Sequence, residues 1–241
     1  MHSSLIAWIL RAIPFGTIIM YGALGEIVTE KSGNLNLGVP GIMYLGGFAG
    51  FASAWAYENT AANPSGAVSV VIAMACAILA SMAGGLIYAF LTISLRAVGE
   101  NPATADAAGI NVTLYKYLAT CIGAGICGIG GLYYVLDYNQ GIWATTGQIE
   151  ALGWLAVALV IFTTWKPLNA IWGAYLFGML YWLYQFLPTL LGITMASHIT
   201  DLVQMLPYVV TIVVLIVVSM RKKKENQPPA HLGLAYFREE R

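Results

Sequence analysis

Gly99-Glu100-Asn101-Pro102-Ala103-Thr104-Ala105-Asp106-Ala107-Ala108-Gly109-Ile110-Asn111 lies between two long apolar runs. It must therefore sit outside any bilayer those runs cross. Asn101 is a good N-cap, because its side-chain oxygen can accept a free backbone N–H of a first turn. Pro102 falls at the first helical position, where a missing N–H costs nothing. Five of the next six residues are Ala or Thr, and Asp106 is the one charge among them. Gly109 can close the turn in the left-handed region. Asn111 or Thr113 can cap the helix that follows. The pattern predicts a helix over Pro102–Ala108, roughly 10 Å long at 1.5 Å per residue. So short a helix is not stable alone in water. Its small side chains let another surface approach closely, so it reads either as a docking element for a partner protein or as an ordinary connecting helix.

Composition sets the class. The 241 residues are 59% hydrophobic and 9% charged, against about a quarter charged in soluble domains. Mean hydropathy is +0.74. Several apolar runs exceed the ~18 residues that mark a spanning helix. An all-α, polytopic membrane protein is expected, with about seven spans and a range of six to eight. Met1-His2-Ser3-Ser4 lacks the basic segment of a cleavable signal peptide, and the first apolar run continues too far for one. Cys76, Cys121 and Cys127 fall inside apolar runs and read as packing residues.

Outward from the central stretch, span one is expected near 5–28, span two near 38–57 and span three near 67–95. Span four is expected near 114–136, span five near 150–165, span six near 168–187 and span seven near 199–220. Gly46 and Gly50 have the four-residue spacing that permits close helix contact. Gly84-Gly85 implies tilt, a kink or an extension of span three. Gly123, Gly125, Gly128, Gly130 and Gly131 imply close packing or bending of span four. Between spans one and two, residues 29–41 mix Gly33, Asn34, Asn36, Gly38 and Pro40. Such backbone cannot face lipid. It forms either a surface turn or an interrupted helix start that is buried in protein or lines a cavity. Pro188 to His198 is expected as a loop, and Pro207 as a kink in span seven.

Seven spans place Lys31, Arg96, Lys116, Lys166, Arg221, Lys222, Lys223, Lys224, Arg238 and Arg241 on one side. Only Arg11 is left on the other. This bias puts the C-terminus and residues 99–111 in the cytoplasm and the N-terminus outside. The chain divides into a membrane domain over 1–220, with its cytoplasmic loop at 96–113, and a cytoplasmic tail over 221–241. The basic start of that tail reads as a topology anchor on anionic lipid.

The residues suggest no catalysis. No Gly-rich phosphate loop ends in Lys-Ser/Thr, and His2, His198 and His231 are isolated from one another. No enzyme activity, cofactor or metal is expected. Glu26, Glu150 and Asp201 lie near span ends and are expected to be solvated, leaving no proton relay inside the spans. A transporter without such a relay needs another energy source, and a cytoplasmic docking helix is where an ATPase can supply it.

Four stretches resemble the permease subunits of binding-protein-dependent ABC importers, in the group of branched-chain amino acid and ribose permeases, and most of all its nucleoside-type branch. They are Ala23-Leu24-Gly25-Glu26 with Ser32-Gly33-Asn34-Leu35-Asn36-Leu37-Gly38; Gly99-Glu100-Asn101-Pro102 through Ala107-Ala108-Gly109-Ile110; Gly153–Phe162 with Trp165-Lys166-Pro167-Leu168 and Gly173–Gly178; and Leu232–Arg241. Pro40 departs from the acidic residue usual at its position, and Ala103 and Thr104 from a basic-then-Ala pair. The resemblance implies a plasma-membrane subunit that forms a translocation path, most simply for nucleosides. Its implied partners are a second permease, a cytoplasmic ABC ATPase and an extracellular substrate-binding lipoprotein; no nucleic acid is expected. It makes Gly99, Glu100, Asn101, Pro102, Ala105, Asp106, Ala107, Ala108, Gly109 and Ile110 the ATPase-coupling residues.

Asn34, Asn36 and Gly38 are the candidates for the substrate path, since amides both donate and accept hydrogen bonds. The competing reading is that they cap and turn the backbone. Trp143, Trp154, Trp165, Trp172 and Trp182 could stack a nucleobase, but interfacial anchoring is the reading preferred for them. Two other functions compete with the importer: a secondary transporter or channel for a small polar solute, working without an ATPase, and a membrane scaffold without transport.

Overall fold

A computed structural model describes residues 2–93, 111–143, 147–192, 197–221 and 232–233. Among these there are eight α-helices and no strand. They are α1 (His2–Lys31), α2 (Val39–Thr60), α3 (Gly66–Ile93), α4 (Val112–Tyr133), α5 (Gln148–Phe162), α6 (Pro167–Leu191), α7 (Ser197–Gln204) and α8 (Leu206–Arg221). A π-helical turn, Tyr134–Tyr138, continues α4. Ser3–Lys31, Gly66–Ala89 and Val112–Tyr138 are long and apolar enough to cross a membrane. The expected all-α polytopic fold is what the chain adopts.

Local chemistry accounts for most helix starts. The Asn111 side chain accepts the Leu114 N–H at 3.1 Å, so it is the cap of α4. Pro40 sits in the first turn of α2, and Pro167 opens α6 after the Lys166 cap. The α6 C-terminus differs from expectation. Pro188 does not begin a loop; it lies inside α6, which runs one more turn to Gly192 at φ 66°. The Gly192 N–H bonds back to the Pro188 carbonyl, so glycine, not proline, ends the helix. Span seven also differs: it is two helices separated at Met205. Pro207, in the first turn of α8, has no N–H to continue the ladder from α7. The loop expected from Asp137 is shorter, because the π turn carries the span to Tyr138 and α5 begins at Gln148.

The core forms where α1, α2, α4, α5 and α6 meet, around Ile18, Ile19, Met43, Leu159 and Phe177. α4 packs against α1, α2 and α3 at once. Its dense glycines are the reason it can. A Cβ at Gly123 would strike the Gly25 carbonyl and the Thr29 side chain of α1. One at Gly128 would strike Ser81 of α3, and one at Gly131 the Met43 carbonyl of α2. The α2 glycines work the same way: Gly46 lies against Gly128 and Ser81, and Gly50 against Leu132. Close packing is thus the outcome for these glycines. Cys121 and Cys127 are buried and Cys76 half-buried, all as free thiols.

Hydrogen bonds gather several segments at one end of the bundle. Trp165, after α5, reaches Glu30 near the end of α1. Tyr88 of α3 donates to the Leu35 carbonyl at 2.6 Å. The Gly233 N–H donates to the Gly33 carbonyl at 3.2 Å, bringing part of the tail to the α1–α2 connection. Lys31 and Lys166, which the charge count assigns to one side, flank these contacts.

Gly131→Ala should destabilise the bundle by about 1–3 kcal/mol, because backbone must shift to admit the methyl. Gly66→Ala, with nothing within 4 Å of its Cβ position, should leave the melting temperature of the detergent-purified chain unchanged. Equal melting temperatures for both variants would refute the packing argument.

Candidate functional site

The ten coupling positions, Gly99 to Ile110, lie outside the described residues. The three substrate-path candidates do not, and they belong to a buried polar knot at the end of the bundle just described. Residues 32–38 leave the helical path after Lys31, with Gly33 at φ 88°. The segment combines the two readings: Asn34 is 6% exposed and Asn36 fully buried, while Leu35 and Leu37 between and after them are exposed.

Each asparagine has a distinct task. Asn34 Nδ2 donates to Thr120 Oγ1 at 2.9 Å, tying the connection to α4. Asn36 Oδ1 accepts the Gly38 N–H at 3.0 Å and so turns the backbone into α2. Gly38 supplies the N-cap residue, and a Cβ there would press on Asn36 and Tyr88. Turning and tying the backbone therefore occupy one amide atom of each asparagine. Pro40 is buried against Gly153 of α5, so the position is filled by apolar contact.

Two acidic residues complete the knot. Glu26 was expected near solvent; it is fully buried, and Glu30, one helical turn on, is 3% exposed. Glu150 and Asp201 are exposed, as expected. The difference comes from length: α1 extends through Lys31, so Glu26 lies inside the bundle, not at its rim. Glu30 accepts the Trp165 indole N–H at 2.5 Å and a backbone hydrogen bond from Asn36. To deliver that indole, the α5–α6 turn holds Thr164 and Trp165 at φ 55° and 56°, a region that non-glycine residues seldom occupy. The Trp165 N–H bonds back to the Val160 carbonyl at 3.2 Å, which fixes the turn. Lys116, one turn before Thr120 on α4, is also almost fully buried.

Among the described residues, both Glu26 carboxylate oxygens and Asn36 Nδ2 are buried without a hydrogen-bond partner. Unpaired buried polar groups are costly and call for an explanation. The knot thus offers two acceptor atoms and a donor to a polar species small enough to reach them.

The tryptophans divide. Trp154 and Trp172 are 50% and 77% exposed, which suits interfacial anchoring. Trp165 serves Glu30, and Trp143 packs edge-on to Tyr44 and Phe48. Trp182 lines a cavity of about 280 Å³ with Phe15, Tyr134, Tyr138, Gln148 and Tyr181. The sequence reading missed this cavity, because its rings come from four separate segments. The one local signal was Tyr134 and Tyr138, aromatic residues four apart at the end of a glycine-rich span.

The fold is that of an all-α polytopic membrane protein with a buried polar connection between its first two helices. Residues 93–217 match the family model of the permease component of the branched-chain amino acid transport system, and the chain belongs to that family. A protein of Haloferax volcanii named a putative glucose ABC transporter permease is 27% identical over 68% of this chain and 72% of its own length. A nucleoside ABC transporter permease of Lactococcus lactis subsp. cremoris is 34% identical over 51% of this chain and 38% of its own. A guanosine ABC transporter permease of Bacillus subtilis is 34% identical over 36% of this chain and 26% of its own. The chain thus spans well under half the length of these last two relatives. No solved structure matches the chain. The resemblance to ABC permeases of this group is borne out.

Asn34→Ala should cost about 1–3 kcal/mol, because the buried Thr120 hydroxyl loses its donor. Glu26→Leu should leave the melting temperature unchanged or raise it, since an apolar group of similar size relieves an unpaired one. A large drop for Glu26→Leu would show that the carboxyl is hydrogen-bonded within the folded chain and would refute its unpaired state.

Proposed function

We propose that this chain is a membrane-spanning subunit of an ABC importer for nucleosides. It forms part of the translocation path with a second permease subunit, most simply as a heterodimer. A separate cytoplasmic ATPase docks on residues 96–113, and an extracellular substrate-binding lipoprotein delivers the ligand. The observation that carries the reading is the family match over residues 93–217, which includes the docking stretch. Two relatives named for nucleosides or guanosine, each 34% identical, support that substrate; the relative named for glucose, 27% identical over a larger share of the chain, is as close and makes a sugar the competing substrate. In this reading the multi-pass chain lies in the plasma membrane with its C-terminus in the cytoplasm. ATPase closure pushes the docking helix as a rigid body and so alternates access to the path.

A second reading keeps support from one feature. Glu26, Glu30 and Lys116 are buried ionisable residues of the kind that secondary transporters use. A carrier working without an ATPase would place them on its ion pathway.

Co-expression with the neighbouring ATPase and second permease decides between the two. The ATPase should co-purify with wild type and be lost from the triple variant Asn101→Ala, Pro102→Ala, Gly109→Leu, which should still insert in the membrane. Guanosine-stimulated ATP hydrolysis should fall to the unstimulated level in that variant. Guanosine uptake by the chain alone, without an ATPase, would instead establish the secondary transporter.

A further inference from the structure

The geometry points to the aromatic cavity between α1, the π turn, α5, α6 and α8 as the site that holds the ligand during transfer, with a planar nitrogen heterocycle, the base of a nucleoside, as the group it takes. This deepens the importer reading and rests on it.

The cavity is built from stacked rings. Phe15 and Tyr181 stack with centroids 4.1 Å apart at 15°. Tyr134 and Tyr138 stack at 5.7 Å and 24°. Phe15 meets Tyr138 edge-on at 6.4 Å, and Tyr181 meets Trp182 edge-on at 5.7 Å, so the five rings form one connected wall. The π turn brings Tyr134 and Tyr138 to the same side of the helix end. Such turns are frequent at functional sites. Stacking on aromatic faces is the sequence-tolerant way proteins hold bases, because every base has a π face.

A polar group at the mouth matches the edge of a base. Trp182 Nε1 is buried and has no hydrogen-bond partner among the described residues, although it belongs to a ring that lines the cavity. That nitrogen is covered on all sides, so it is the ring itself and not its N–H that Trp182 presents to the cavity. Gln148 Oε1 accepts from the Tyr134 hydroxyl at 2.8 Å, which fixes the amide at the mouth. Its NH₂ supplies further donors. Arg11 stacks over Trp182 at 5.5 Å and holds the indole from outside.

Position supports the assignment. Tyr134 lies fourteen residues along α4 from Thr120 of the polar knot, about 20 Å at 1.5 Å per residue. The cavity is therefore toward the opposite end of the bundle, the end that the charge count places outside and where a delivered ligand arrives. Its volume of about 280 Å³ is close to the lower end of the ~300–1,000 Å³ range of small-molecule sites.

The test is uptake of tritiated guanosine, beside labelled glucose, by the complete transporter in proteoliposomes. Tyr138→Ala should raise KM for guanosine about tenfold with little change in maximal rate, while Tyr138→Phe should stay within about twofold. Trp182→Phe, which keeps a ring in the wall, should also stay within about twofold. Because ring variants can disturb folding, exposed Gln148 provides a second measurement. In Gln148→Cys, guanosine should slow modification by a membrane-impermeant maleimide and glucose should not. Wild-type guanosine uptake with unchanged KM in Tyr138→Ala and no protection at position 148 would overturn the cavity assignment and leave the importer reading standing. Uptake of glucose but not guanosine by wild type would overturn the nucleoside reading and the heterocycle site with it.

Discussion

The fold depends on how closely α4 approaches three neighbours. Inside a bilayer, lipid tails are as apolar as leucine, so burying apolar surface between helices gains little by itself. Contact must instead be made by atoms that fit. Gly123, Gly128 and Gly131 face α1, α3 and α2 in turn, and each lies where even a methyl would meet backbone or a short side chain. A helix with side chains at these positions could approach one neighbour, but not all three. The other elements are arranged around this contact: α5 and α6 against α1, and α7 and α8 at the margin.

The polar knot is the second constraint, and it is linked to the first. Because α1 lies tight against α4, its last turns remain inside the bundle, and Glu26 and Glu30 go with them. The chain offsets part of the cost with the Trp165 and Asn36 hydrogen bonds to Glu30 and the Asn34 bond to Thr120. The balance is left on Glu26 and the Asn36 amide. The knot and the aromatic cavity sit toward opposite ends of the same helices, α1 and α4, so both are positioned by one rigid contact.

Much of the fold was legible because it was written in local signals. Run length gave the helices, Asn111 gave the start of α4, and the glycine spacing in α2 gave close packing, which for the α4 glycines was one of two readings. Where the reading failed, distant chemistry had intervened. Pro188 looked like a stop, yet the next turn of α6 could still form because Gly192 was available to end it. Glu26 looked like a rim residue from its place near the end of an apolar run; only the extra turn of α1 and its neighbours decided otherwise. The burial of Asn34 and Asn36 could not be read from residues 32–38 themselves, since Thr120 and Tyr88, which hold this segment, lie on other helices. The cavity rings were scattered over α1, the π turn, α6 and, through Tyr208, α8, and no spacing links Phe15 to Tyr181.

The glycine faces of α4 have a further meaning when they are counted as entropy. A leucine fixed in a helix interface gives up about 0.5–1 kcal/mol of rotamer freedom, whereas glycine has no side-chain freedom to lose. At Gly123, Gly128 and Gly131, α4 therefore contributes no rotamers to be frozen, and most of what these faces meet is backbone or a short side chain. The attraction there is largely dispersion between close-packed atoms, and little of it is cancelled by ordering. Association through such surfaces should weaken less on warming than association through long side chains, because the opposing term that grows with temperature is small from the outset.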